Sequence, residues 1–180
     1  MRINYYTFLT LSILLFSCNK TSKIDDDCNG NTRREVKILI DDQADEINFT
    51  PIFSSIDSLQ NIEVIEPDKE TARLSVENQV YTITASVDKV DRKPDGDIHI
   101  RLTDGTNYLI AEIPNPNCEY AKNTLWKTTY EDCLAFVNAT DLEDKTVKIT
   151  GVAFIDIDHH YKRKQAKNNL ELHPVLSIEF

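Results

Sequence analysis

The chain is poor in glycine, methionine and tryptophan, with four, one and one among its 180 residues. Four scattered glycines form no G-x-x-x-x-G-K-[ST] or G-x-G-x-x-G loop, so no phosphate cradle is encoded. There is no H-E-x-x-H, no C-x-x-C, and no serine or cysteine with an evident neighbouring base. Zincin, zinc-ribbon and triad chemistry therefore lack a handle. No segment recurs at a period of 20–50 residues, which argues against solenoids and propellers. Positive charge is short as well, 20 Lys and Arg against 30 Asp and Glu, for a net charge of −10. Nucleic-acid binders need clustered cations to displace counterions, so no nucleic-acid partner is expected. What remains, 41% hydrophobic and 28% charged, is ordinary for one compact domain with an arm.

The N-terminus differs in kind. Residues 1–17, "MRINYYTFLTLSILLFS", carry one Arg and an apolar run too short to span a bilayer but suited to a signal peptide. Ser17-Cys18 at its end has the form of a lipobox, in which Cys18 would be lipidated and become the first mature residue. An ordinary secretory signal followed by a chance cysteine is the plainer alternative. Residues 18–34 are polar and aperiodic and read as a disordered tether. The acidic "KIDDD" within them is either an outer-membrane sorting signal or a solvated linker. The expected address is the bacterial outer membrane, lipid-anchored, with the outer, cell-surface leaflet the favoured side.

With Cys18 assigned to lipid, Cys28, Cys118 and Cys133 remain, an odd number for an oxidising compartment. Cys118–Cys133 would close a short loop, and Cys28–Cys118 would pin the tether to the core. Spacing does not choose between them.

Residues 35–78 read as an arm packing on the core. "EVKILI" (35–40) has a strand look, and Ser54 or Ser55 can cap a short helix placing Ile56 and Leu59 on one face. The barrel domain is expected over 79–180. "VYTITASVDKV" and "IHIRLTD" alternate with period two, the latter with Ile98, Ile100 and Leu102 inward. An Asp-Gly turn and "NYLIAEIP" complete a three-stranded meander. From Thr124 to Asn138 the period becomes helical, with Trp126, Tyr130, Cys133, Leu134 and Val137 on one face and Thr128/Glu131 as a possible capping box. "TVKITGVAFIDI" and "LELHPVLSIEF" return to strand, with Gly151 a bulge and Pro174 confining its strand to an edge or a bulge. The order β-β-β-α-β-β is that of an OB-fold-like five-stranded barrel with one helix, mainly β overall. Trp126 and its neighbours would plug the barrel end.

On that scaffold the polar candidates are Asp97, His99, Asp156, His159, Glu171 and His173. Asp97 and His99 share a strand face, as do Glu171 and His173. If the last two strands are neighbours, His159 and His173 can approach with Asp156 or Glu171 between them. Imidazole and carboxylate suit Zn²⁺ or another divalent metal, and they also suit general-base work. The plainer expectation is solvated side chains on an outward strand face, with no catalytic residue assigned and no cofactor required.

Together "REVKILID", "DGDIHIRLTD", "YLIAEIPNPNC", "VKITGVAF-D" and "LELHPVL" resemble a family of secreted bacterial proteins without an assigned activity. The resemblance runs from Arg34 to the C-terminus. It picks out Asp97, His99, Glu112, Cys118, Gly151, Asp156, His159, Glu171 and His173, and implies the Cys28–Cys118 pairing. Where that family carries a Gly-rich loop, this chain has "HYKRKQAKNN". The functional expectation is a lipid-anchored, non-enzymatic binding or accessory module that engages a saccharide or an envelope protein. The alternative is a metal-assisted, phosphodiesterase-like hydrolase built on the His/Asp/Glu set.

Overall fold

A computed structural model describes residues 1, 28, 32–158, 160 and 163–180. Six strands and four α-helices occur among them. In chain order they are α1 (Arg34–Lys37), β1 (Asn48–Phe53), α2 (Ile56–Gln60), β2 (Gln79–Arg92), β3 (Ile98–Thr103) and β4 (Tyr108–Ile113), then α3 (Glu119–Lys122), α4 (Lys127–Ala139), β5 (Thr146–Ile155) and β6 (Leu170–Glu179). The signal-peptide, Cys18 and His159 expectations fall outside the described residues.

The sheet closes on itself. Its order is β1-β2-β3-β4-β6-β5, and β5 pairs back onto β2. The 14-residue β2 makes this possible: its N-terminal half pairs with β5 (Val80↔Val152 to Ser86↔Thr146) and its C-terminal half with β3. A register shift between Val87 and Lys89 bends the strand between these two duties. β4 and β6 run parallel and the other barrel neighbours antiparallel, which is the OB topology expected from the strand order.

Alternation fills the interior. Ile83, Ile98, Ile100, Leu102, Leu109, Ile113, Ile149 and Leu172 are buried together, each contributing about 1.5–3 kcal/mol by removal from water. The end of the barrel is closed by Cys133 and Val137 of α4. Trp126 does not join them. It caps α4 and stacks on Phe49 of β1 with ring centroids 4.9 Å apart, while Tyr130 donates a hydrogen bond to the carbonyl of Ile38 at 3.0 Å. The helix face thus divides, one half to the barrel and one half to the arm. Glu131 forms no capping box and pairs instead with Lys127 at 2.7 Å.

One further expectation changes, one strand is unforeseen, and one alternative is settled. "EVKILI" is helical at Arg34–Lys37, because its apolar residues meet the barrel wall and have no strand to pair with. β1 is a strand that alternation does not reveal, since all six residues are exposed. β6 is not an edge, so Pro174 is accommodated by the bulge around Gly151, next to a cis His173–Pro174 bond. A side chain at Gly151 would meet Leu172 Cβ at 2.9 Å, so glycine is needed there for close approach. Ser55 caps α2 as the sequence suggests, accepting from Ser58 N–H at 3.1 Å, with Ile56 and Leu59 buried.

The arm lies against the outer wall of the barrel. Leu39 and Ile47 pack on Val80 and Val152 in a second apolar cluster. Arg33 anchors the arm through five donations: to Glu77 Oε1 and Oε2 (2.9 and 2.6 Å) and to the carbonyls of Ile155, Ala72 and Thr71. A disulfide joins Cys28 to Cys118, and Cys133 is a free, buried thiol.

Candidate functional site

The outward faces of β3, β4 and β6 carry polar side chains that alternation alone would place in water. Most are buried, because the arm covers them: Asp97 and Glu171 are 1% exposed, as is His173. Asp97 is set by the β2–β3 hairpin, where Gly96 at φ +83 turns the chain in a conformation that favours glycine. The Asp97 carboxylate accepts from the Asn115 N–H at 2.6 Å. His99 on β3 stands opposite Glu112 on β4, and Glu171 on β6 lies beside Ile110.

Glu112 is where the strands converge. Its Oε2 lies 2.6 Å from His99 Nε2 and 3.3 Å from His173 Nδ1. Distance and direction disagree here. Both nitrogens are within ion-pair range, but neither contact has hydrogen-bond alignment, so they count as charge contacts. Asp156 and Glu171 share Arg163, at 2.9 and 3.0 Å. Phe154 lies beneath, its ring 5.7 Å from that of His173 and 5.1 Å from the Lys37 ammonium.

Three of the carboxyls divide. Burial pushes Asp97 up to about 7, reinforced by repulsion from Glu112. Burial likewise pushes Glu171 up to about 7, with Asp156 and then Glu112 adding to it. In Glu112 burial works in the same direction but is outweighed by attraction to His173 and Lys37, which holds it well below the usual carboxylate range. Burial would lower Lys37, yet Glu112, Glu171, Asp156 and Asp97 together hold its ammonium above its ordinary value. The geometry therefore joins Asp97, His99, Asp156, Glu171 and His173 into one buried set around Glu112 and Lys37. His99 and His173 meet at Glu112 rather than standing apart on a solvated sheet.

Reading the polar positions of the strands does not find Lys37 or Arg163, and it finds Glu112 only through the family resemblance. The available signal was a single charge within an apolar run: Lys37 in "VKILI" and Glu112 in "YLIAEIP".

Above this set lies an open groove of about 210 Å³, lined by Asp91, Lys93, His99, Arg101, Ile110, Arg163 and Lys164; Arg101 and Lys164 are paired with Asp88 beside it, and Arg163 with Asp156 and Glu171. The β2–β3 hairpin and the β5–β6 loop flank it. A larger cavity of about 550 Å³ lies between α1 and residues 69–73, but its buried guanidiniums, Arg33 and Arg73, are held by Glu77 and Asp41.

No protein-family profile and no curated protein matches the chain in sequence. Among solved structures it is similar to asparaginyl-tRNA synthetase of Entamoeba histolytica, with 18% identity over 60% of this chain and 21% of that one, TM-score 0.41. The same synthetase in complex with asparaginyl-adenylate gives 20% identity over the same shares, with a TM-score of 0.36. A protein described as an aspartyl-tRNA synthetase of Leishmania major Friedlin gives 13% identity over 73% of this chain and 21% of that one, TM-score 0.45. The chain spans about a fifth of the length of these neighbours. The expectation of no nucleic-acid partner does not stand. The physical fault lies in using whole-chain charge: a net −10 coexists with Lys93, Arg101, Arg163 and Lys164 gathered on one barrel face.

Proposed function

We propose that the protein is a binding module that holds an anionic, chain-like ligand on the outer face of β3 and β4. The observation that carries this reading is the cationic groove between the β2–β3 hairpin and the β5–β6 loop. In barrels of this topology that face and those two loops are where oligonucleotides and oligosaccharides bind. A groove of about 210 Å³ is too small to enclose a drug-sized molecule, and it fits one charged group of a longer chain lying across it. Lys164 rests over the Tyr108 ring at 4.7 Å, which supplies an aromatic surface beside the cations. The hydrolase alternative is not favoured, because His173 and Glu112 lie beneath the arm at 1% and 2% exposure, away from any substrate.

The same reading places the module in the cell envelope, tethered through Cys18 after removal of residues 1–17. The leader and lipobox pattern support it, together with a disulfide at Cys28–Cys118, which belongs in an oxidising compartment. The resemblance to secreted bacterial proteins points the same way. Cell fractionation tests the address: Cys18→Ala should leave the protein soluble in the periplasm, and a variant that stays in the membrane fraction overturns it.

Fluorescence anisotropy with a single-stranded oligonucleotide and with an acidic oligosaccharide tests the groove. Binding to either should weaken at least tenfold in Lys93→Gln/Lys164→Gln and fall with salt. Wild-type protein that binds neither at low salt refutes the reading.

A further inference from the structure

Three buried polar atoms beneath the groove make no aligned hydrogen bond among the described residues: Glu112 Oε2 and His173 Nδ1, which face each other at 3.3 Å, and His173 Nε2. Buried polar atoms are normally satisfied, and a local concentration of unsatisfied ones marks a missing ion or water. His173 is 1% exposed, so bulk solvent does not supply the partner.

The donors are arranged for an ion. Asp97, Glu112 and His173 each offer one ligand atom, and these atoms lie within 4.8 Å of one another. Ligands about 2.0–2.2 Å from a tetrahedral ion stand roughly 3.3–3.6 Å apart. His173 Nδ1 and Glu112 Oε2, at 3.3 Å, already have that separation. His99 Nε2, at 2.6 Å from the same oxygen, is too close to share the ion with it and acts as a positioning residue for the Glu112 carboxylate.

Donor chemistry points the same way. One imidazole with two carboxylates selects a borderline first-row ion over calcium or magnesium, which prefer oxygen-only shells.

We propose that Asp97, Glu112 and His173 form a buried, three-ligand site for a divalent transition metal of the Zn²⁺ class, lying between the barrel wall and the N-terminal arm, with water completing its tetrahedron. The ion would tie β3, β4 and β6 together under α1. The site is independent of the groove: ligand binding there can fail while the metal site stands, and the reverse.

The test uses untagged full-length protein, stripped with chelator and refilled with Zn²⁺ or Co²⁺. Metal analysis should give one ion per chain, with a Tm several degrees above that of the stripped form and a visible Co²⁺ spectrum. His173→Gln and Asp97→Asn should each weaken uptake at least tenfold, and His99→Gln should weaken it less. Wild-type protein that is folded by circular dichroism, yet takes up no stoichiometric metal and shows no Tm shift, overturns the proposal and assigns the orphaned atoms to water. Uptake that persists undiminished in both ligand variants overturns it too, because the ion then sits elsewhere. The wild-type titration decides even if a variant fails to fold.

Discussion

Removing the disulfide should cost stability without unfolding the arm. Cys28 and Cys118 are 90 residues apart, so the bridge closes the whole arm and three of the five barrel strands into one covalent loop. In the chain-entropy account a loop of that length removes about 4–5 kcal/mol of unfolded-state freedom at 25 °C. For a domain of this size each kcal/mol moves Tm by about 2–4 °C, so the full effect is roughly 10–20 °C. The arm has other anchors on the barrel: the Arg33 bond to the Ile155 carbonyl, the Ile155 N–H bond to Glu77, the Tyr130 bond to Ile38, and the Leu39–Ile47 contacts. A Cys28→Ala/Cys118→Ala protein should therefore keep its far-UV circular dichroism at 25 °C while its Tm falls by at least about 5 °C in scanning calorimetry. Urea denaturation should show the midpoint falling with little loss of folded baseline. A Tm within about 2 °C of wild type would refute the reasoning, because the closed loop would then contribute nothing. Loss of folded signal at 25 °C would refute it differently, by showing that the other anchors do not hold the arm.

Arg33→Met should cost about 3–5 kcal/mol in urea denaturation, because it leaves the Glu77 carboxylate buried without its partner. Adding Glu77→Met should recover part of that loss, and a double variant no better than the single one would contradict this. Stability of chelator-stripped protein should fall as pH rises from about 4 to about 7. Asp97 and Glu171 bind protons more tightly folded than unfolded, so their contribution is complete below the unfolded pKa and is lost on the way up to about 7. The effect is on the order of 3 kcal/mol for each group. Glu112 acts oppositely, contributing stability above its ordinary pKa that is lost under more acid conditions, so the optimum should lie near pH 4.5–5. Asp97→Asn should flatten the alkaline side of that profile, and an unchanged slope would count against the assignment. Gly151→Ala should cost about 1–3 kcal/mol by forcing a methyl against Leu172 Cβ and the Pro174 carbonyl at the bulge, checked by its denaturation midpoint.

The barrel was legible because its strands alternate cleanly. Ile98, Ile100 and Leu102 face inward in both sequence pattern and structure, and Ser55 caps its helix with its own side chain. β1 was not legible, because neither face of "NFTPIF" is buried and period two carries no information without a buried face. "EVKILI" failed for a related reason. A run this short fits strand or helix equally well, and only its packing on the barrel wall settles the outcome.

The candidate site shows where the limit of such reading lies. Alternation correctly sends Asp97, His99, Glu171 and His173 to the outside of the barrel, but outside is not exposed. The cover comes from α1, far away in sequence and brought over by tertiary contacts, so no window on β3 or β6 contains it. Burying a charge without a partner is costly enough that each isolated charge in an apolar run implies an opposite one nearby. Lys37 within "VKILI" and Glu112 within "YLIAEIP" are such charges, of opposite sign, each otherwise hard to place. Pairing them across the chain would have laid the arm over β4 and turned a row of decorating polar residues into a buried cluster before any coordinate was known.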